Sequence, residues 1–392
     1  MKYIDEFRDG ALAQRIATQI GAETADTGRS YNLMEFCGGH THAISRYGIG
    51  DLLPPAVRMI HGPGCPVCVL PIGRVDLAIR LALDRGVILC TYGDCLRVPA
   101  SNQLSLLKAK AHGGDVRMIY SPADALKIAA ENPSREVVFF AIGFETTTPP
   151  TALVIKEAAR QGLKNFSVLC NHVLTPAAIT NILESPEVRQ LGTLPLDGFI
   201  GPAHVSTIIG SQPYEYFAEE YRKPVVIAGF EPLDVMQAIL MLVRQLNEGR
   251  AEVENEFSRA VTREGNQKAQ ALVSEVFELR RSFEWRGLGE VPYSALRIRE
   301  AYAAFDAEVR YALQTQSVAD NKACECGAIL RGVKHPRDCK VFGTVCTPEN
   351  PIGSCMVSSE GACAAYYSYG RFKDIAVVGA PSTATATVTA QP

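Results

Sequence analysis

Through its first 230 residues the chain alternates short apolar runs, rich in β-branched residues, with segments whose apolar positions recur every three or four residues. The runs predict strands at Tyr31–Phe36, Val57–His61, Val87–Tyr92 and Val116–Tyr120, then at Val137–Ile142, Phe166–Cys170, Gly198–Ile200 and Val225–Ala228. Between them lie amphipathic segments such as Val75–Leu83, with Val75, Ile79 and Leu83 on one face. Ser121-Pro122-Ala123-Asp124 and Thr175-Pro176 read as helix starts, each a hydroxyl N-cap followed by proline at the first helical position. Apolar strands alternating with helices predict an α/β fold whose parallel sheets are covered on both faces. Eight strands in two groups of four predict two doubly wound, Rossmann-like domains, over residues 1–132 and 133–231. From Pro232 the pattern turns helical, at Leu233–Asn247, Asn266–Arg281 and Ala295–Ala312, and runs into a loop-rich, cysteine-rich end. Residues 232–378 therefore read as a third domain, and the small polar residues 379–392 as a disordered tail. VVFFAIGFET and VVIAGFEP, at Val137–Thr146 and Val225–Pro232, both run from a strand straight into Gly-Phe-Glu, a faint internal echo.

Composition narrows the classes. Hydrophobic residues make up 47% and charged residues 21% of 392, ordinary values for a globular chain with room for two or three domains. A formal net charge of −3 gives no reason to expect nucleic acid or an anionic membrane as partner. The N-terminus is charged from residue 2 and lacks the apolar stretch of a secretory signal. No apolar run reaches the roughly 18–20 residues that span a bilayer. A cytoplasmic location is expected, where thiols stay reduced and a cysteine cluster signals metal or redox chemistry before structural disulfides.

The unusual polar residues recur directly after predicted strands. Cys37-Gly-Gly-His40 follows NLMEF, Gly62-Pro-Gly-Cys65 follows VRMIH, Gly143-Phe-Glu145 follows VVFFAI, and Gly201-Pro-Ala-His204 follows GFI. In open α/β sheets ligands bind outside the carboxyl ends of the strands, so these residues predict a site between the two domains. Cys37, His40 and His42 place one thiol and two imidazoles within six residues, a candidate site for iron, copper or zinc. Cys65-Pro-Val-Cys68 is a C-x-x-C pair, read as opening a helix that ends near Arg85, where the helix N-terminus would favour thiolate. Such a pair either exchanges a disulfide or shares a metal, with Cys68 a possible ligand beside Cys37 and His40. Cys90 and Cys170 lie inside apolar strands and read as core residues, whereas Cys95 has no evident partner. Glu145, with Thr146–Thr148, either hydrogen-bonds a bound ligand or caps the following helix.

Six further cysteines crowd between Cys324 and Cys363. Cys324 and Cys326 are two apart, Cys339 and Cys346 seven, Cys355 and Cys363 eight. These gaps fit neither a paired zinc ribbon nor the compact ferredoxin run, and leave an iron–sulfur cluster, zinc and disulfides all open.

Taken together, CGGHTH, GPGCPVC, GFETTTP, GPAHVSTIIG, AGFEPLD and CECGAILRG…PRDCKVFGTVCTPENPIGSCMVSSEGACAAYY resemble the HypD family of NiFe-hydrogenase maturation proteins, over nearly the whole chain. The resemblance implies two α/β domains and a third carrying a 4Fe–4S cluster. It implies a scaffold that, with a small HypC-type chaperone, holds iron while the Fe(CN)2CO unit is built. Cyanide would come from a HypE-type partner, and the iron would pass to the hydrogenase large-subunit precursor. By the same resemblance Cys37 is the iron-holding thiolate with His40 close by, and Cys65 and Cys68 are an essential dithiol. Cys324, Cys339, Cys346 and Cys363 would be cluster ligands, with Cys326 and Cys355 as the adjacent redox pair. At Cys95 the chain departs from the family, which usually has Met there, and this counts against a required role for that thiol.

The expected mechanism has iron on Cys37 in the cleft, with electrons passing from the cluster through the two cysteine pairs and Glu145 near the cyanides. It requires the C-terminal region to reach the cleft. The rival is a cluster-driven dithiol/disulfide reductase, in which CGGHTH would have no task.

Overall fold

The structure, a computed structural model, describes residues 4–184 and 196–370; the expected tail at 379–392 lies outside the described residues. The predicted strands form, with ends moved by one or two residues: β1 Tyr31–Glu35, β2 Val57–His61, β3 Ile88–Thr91, β4 Val116–Met118, β5 Val137–Gly143, β6 Phe166–His172, β7 Gly198–Gly201 and β8 Val225–Ile227. A further short strand, β9 at Val253–Asn255, joins them. All pair in parallel, in two sheets ordered β2-β1-β7-β8-β9 and β4-β3-β5-β6.

The strands do not group at residue 132 as expected. β1 and β2 share their sheet with β7, β8 and β9, and β3 to β6 form the second sheet as an excursion between them. The chain leaves after β2 through the helix Ile72–Asp84 and returns at β7, which pairs with β1 in the register Leu33↔Gly198 to Glu35↔Ile200. Periodicity identifies a strand but carries no information on its neighbour. The consequence is functional: β1 lies between β2 and β7, so strand order reverses at β1, and the loops leaving β1 and β7 diverge to open a crevice there.

Each sheet is sealed as its apolar strands require. On one face of the first, the helix Gly10–Thr24 packs Ile16 and Ile20 against Val235, Ile239 and Val243 of the helix Pro232–Asn247. The opposite side gathers Met34, Phe36, Phe199, Tyr214 and Phe217. Each fully buried aliphatic or aromatic side chain contributes about 1.5–3 kcal/mol relative to exposure. The predicted helix start at Ser121 is a true capping box with Asp124.

Beyond Asn247 the helical expectation fails in part. Asn266–Arg281 is a helix only over Gln267–Val276 and then becomes β10, Phe277–Leu279. The predicted helix Ala295–Ala312 is instead β13 at Leu296–Ile298, a 3-10 stretch at Glu300–Phe305 and a single turn at Ala307–Arg310. β13 pairs antiparallel with β10, and the hairpin β11 Ser282–Trp285 with β12 Gly289–Pro292 lies between them. The alternation Leu296-Arg-Ile298, buried on one side only, suited a strand once a partner edge was present.

Buried Arg74 ties this connector to the second sheet, donating to Asn171 (2.5 Å), to the Cys170 carbonyl (2.9 Å) and to Glu308 (2.5 Å). Burial alone would raise the Glu308 carboxyl, but Arg74 and Arg280 hold it at about 2. The cysteine-rich end shares a core with the second sheet: Cys326, Cys346, Cys355 and Cys363 belong to the same buried cluster as Leu89, Val138, Trp285, Cys65 and Cys68. Among the described residues no helix is long and apolar enough to cross a membrane.

Candidate functional site

Cys37 sits at the corner where β1 ends and the helix Gly38–Tyr47 begins, at the point of strand reversal. It is the N-cap residue, and its carbonyl accepts from His40 N–H (2.9 Å) and Thr41 N–H (3.1 Å). Burial, with the nearby Glu360, pushes the Cys37 thiol up to about 12; the backbone N–H groups of Gly39 and His40 pull the other way. The helix-terminus effect expected at Cys65 therefore belongs to Cys37. His40 is fully buried, with Nε2 facing the carbonyls of Ala228 (3.0 Å) and Gly229 (2.9 Å) beyond β8. Two carbonyl acceptors fix the proton on Nε2 and leave Nδ1 as a lone pair, which has no hydrogen-bond partner among the described residues. Burial lowers the His40 pKa, so the ring is kept neutral. Phe230 packs between His40 (5.0 Å between centroids) and His204 (4.2 Å), the latter on the helix that follows β7.

Cys65 and Cys68 form a disulfide with Cα atoms 5.2 Å apart. Contrary to expectation, they do not open the helix. The motif makes a turn in which Cys68 N–H donates to the Cys65 carbonyl (3.1 Å), and Pro71 caps the helix that starts at Ile72. The turn lies against the Cys37 corner, since Gly38 N–H donates to the Gly64 carbonyl (3.0 Å).

The C-terminal region reaches this corner. Ser354 Oγ donates to the Cys68 carbonyl (2.6 Å), Arg97 donates to the Val357 carbonyl (2.8 Å), and the His42 ring stands edge-on to Tyr369 (5.3 Å). A side chain at Gly361 would stand 2.3 Å from the Cys355 carbonyl oxygen and 3.0 Å from Cys68 Sγ, so only glycine permits this approach. Four of the six C-terminal cysteines are linked by sulfur hydrogen bonds, Cys326 with Cys324, Cys355 and Cys363, and Cys346 lies within electrostatic reach of Cys324 and Cys339. Hydrogen bonding from Cys326 is the main cause holding the Cys324 thiol at about 7, whereas Cys355 and Cys363 lie well above the ordinary thiol range. As placed, no three His, Cys, Asp or Glu side chains among the described residues stand ready to hold a metal ion. The donor types nonetheless suit a group ligated by thiolates: half-buried Cys324 and Cys339 and buried Cys363 each lie within electrostatic reach of buried Cys346, and a Cβ at Gly353 would collide with the Cys324 and Cys326 sulfurs.

Glu145 is not free to meet a ligand in this structure. Its carboxylate accepts from Thr175 N–H (2.9 Å) and Thr175 Oγ1 (3.1 Å), the first residue of the helix Thr175–Glu184 and not of the helix that follows β5 directly. Burial raises its pKa to about 7. Thr147 and Thr148 hydroxyls turn back to the Phe144 carbonyl. Buried Cys90 and Cys170 are core residues of β3 and β6, as expected, with thiols raised to about 12 and 11 by burial; Cys95 is buried likewise. Sequence reasoning missed Glu35, His61, Phe230 and Glu360 as parts of the site. A lone carboxylate closing the apolar strand YNLME was a readable signal for Glu35; the other three are brought in only by the fold.

Two Rossmann-like sheets, with a buried thiol at the strand-order reversal, a disulfide turn against it and a thiol-rich segment closing over both, define an α/β protein with its cysteines gathered at the sheet's switch point. The chain belongs to the HypD family: the family model described as "HypD: Hydrogenase formation hypA family" matches residues 11–370. It is 76% identical over 380 residues to the hydrogenase maturation factor HypD of Cupriavidus necator, covering 97% of this chain and 100% of that protein. It is 71% identical over 374 residues to that of Rhizobium leguminosarum bv. viciae (95% and 97%), and 43% identical over 373 residues to that of Escherichia coli (94% and 98%). Its function lies in hydrogenase maturation.

Proposed function

We propose that the protein is a scaffold on which hydrogenase iron is held at Cys37 while cyanide and carbon monoxide ligands are attached. A small HypC-type chaperone would supply a second thiolate and a HypE-type partner would deliver cyanide; the finished unit then passes to the large-subunit precursor. The observation that carries this reading is the meeting of three sulfur sites at one corner, with the Cys65–Cys68 turn bonded to the Cys37 corner on one side and to Ser354 on the other.

The chemistry follows from the residues. Soft thiolate suits iron that carries strong-field ligands. A thiol raised to about 12 is protonated at neutral pH, so iron binding at Cys37 must displace a proton, and the Gly39 and His40 N–H groups stabilise the anion that remains. His40 supports the site as a neutral imidazole whose Nδ1 lone pair is open to iron or to that proton. Cys65 and Cys68 cycle between disulfide and dithiol, exchanging two electrons and two protons with an external thiol pair. Cys324, Cys339, Cys346 and Cys363 would hold a 4Fe–4S cluster, which supplies electrons one at a time, and Cys326 with Cys355 would form the neighbouring pair. Glu145 supports the cleft wall by fixing the helix at Thr175.

Infrared spectroscopy of the anaerobic protein purified with its chaperone tests the reading. The wild type is expected to show CN and CO stretching bands, and Cys37→Ala to lose them while keeping iron–sulfur absorbance. Bands that persist in Cys37→Ala remove Cys37 as the iron ligand. Steady-state disulfide reduction without any chaperone would instead support the reductase alternative.

A further inference from the structure

We infer that Glu35 is a positioning residue whose buried carboxylate locks the Cys37 corner to the strand that carries the Cys65–Cys68 pair. It rests on the proposed role of Cys37 for its purpose, though not for its geometry. Glu35 is the last residue of β1 and has no exposed surface. A carboxylate in such a place is costly unless hydrogen bonds replace its water. Here three donors converge on it. Cys37 N–H donates to Oε2 (2.9 Å), the Thr41 hydroxyl donates to Oε1, and His61 Nδ1 faces Oε1 at 2.8 Å.

The origin of those donors is the argument. Cys37 is the corner itself, Thr41 lies in the first turn of the helix behind it, and His61 is the last residue of β2, four positions before Cys65. Strand pairing does not need the carboxylate. The parallel ladder already places Glu35 opposite His61, and the other buried β1 residues are apolar except Asn32, which turns to Asp197. What the carboxylate adds is a fixed relation between the helix corner and the end of β2, beyond the ladder. Backbone bonds clamp the same junction, from Gly62 N–H to the Glu35 carbonyl (2.9 Å) and from Gly38 N–H to the Gly64 carbonyl (3.0 Å). Iron on Cys37 and electrons at the dithiol need a constant separation, and a rigid hydrogen-bonded second layer is the usual means of supplying one.

The test reads geometry directly. In the full chain, reduced under anaerobic conditions, dibromobimane bridges neighbouring thiols, and peptide mass spectrometry reports the yield of Cys37 joined to Cys65 or Cys68. In Glu35→Gln, whose amide turns a donor toward donors, the bridging yield of folded protein is expected to fall about tenfold, the factor that a hydrogen bond to a charged group supplies. Thr41→Val removes one donor and keeps the carboxylate; a fall of about threefold is expected there. Glu35→Asp, which retains the charge, is expected to restore part of the yield. A residue of purely structural value would lower the melting temperature and leave bridging in the folded fraction unchanged, and that result in both Glu35→Gln and Thr41→Val overturns the inference. If Glu35→Gln does not fold, Thr41→Val decides alone. Iron retained by Cys37→Ala would sink the proposed function while the bridging yield still judged Glu35.

Discussion

The sequence Gly-Phe-Glu occurs twice after a strand, at Gly143–Glu145 behind β5 and at Gly229–Glu231 behind β8, and the two corners have different work. At the first, Phe144 is buried against Trp285 (6.0 Å) and Glu145 is sealed onto Thr175. At the second, half-buried Phe230 separates His40 from His204, and the Gly229 carbonyl faces His40 Nε2. Glu231 caps the helix Pro232–Asn247 and pairs with Arg8 near the surface. The same tripeptide serves as packing in one sheet, where Gly143 takes a φ of 148°, and as the wall of the thiol site in the other. Chemistry attaches to the neighbours a corner meets, and the corner behind β8 meets His40, on the helix that begins at the strand-order reversal.

Exchanging each element for alanine or an isostere should pull the two corners apart. Phe144→Ala opens a core cavity and should cost about 3–4 kcal/mol in urea unfolding. Phe230→Ala, half-buried, should cost only about 1–2 kcal/mol yet lower iron retention by the purified chaperone complex, since His40 and His204 lose their spacer. Equal stability losses at both positions would erase the distinction.

Glu145 gives the next largest effect, read through pH. Its pKa is about 7 in the fold against an ordinary 4.5, so the folded state holds the proton more tightly than the unfolded chain. The stability from the neutral carboxyl is complete below about pH 4.5 and is lost as pH rises through 7, by about 3 kcal/mol in all. Burial pushes His172 down to about 4 from 6.5, which acts in the opposite sense: its contribution is present above 6.5 and is lost as pH falls toward 4. The difference in stability between wild type and Glu145→Gln cancels the histidine, and should decline between pH 4.5 and 7. A flat difference would mean that the carboxylate is not desolvated.

The smallest expected effect is at Glu231. Glu231→Ala should cost about 1 kcal/mol from the lost cap. Arg8→Ala should change stability by less than about 1 kcal/mol, because the arginine side of that ion pair is exposed.

The strands were legible because buried parallel strands leave continuous apolar runs, and the capping boxes at Ser121, Glu231 and His335 all lie at proline-led helix starts, only the first of which was anticipated. Cys37, His40, Cys65 and Cys68 were legible as well, since thiols and imidazoles after glycine at strand ends have few structural uses. Leu296–Ile298 was misread as helix because three residues carry too little periodicity to oppose the helical neighbourhood, and the pairing with Phe277–Leu279 that decides the matter is remote in sequence. Glu35 stood in plain view, but its meaning depends on His61 lying beside it.

The sequence by itself determined the α/β class, the thiols and imidazoles that gather at the site, and membership of a family, because these reside in residue type, short-range pattern and extended motif. Tertiary structure alone decided that β7 pairs with β1 and not with β6, which corner became the site, and that the C-terminal segment at Ser354 and Gly361 lies against Cys68. Those outcomes depend on which edges and faces meet across more than a hundred residues, and that information is a sum of weak contacts distributed over the whole chain.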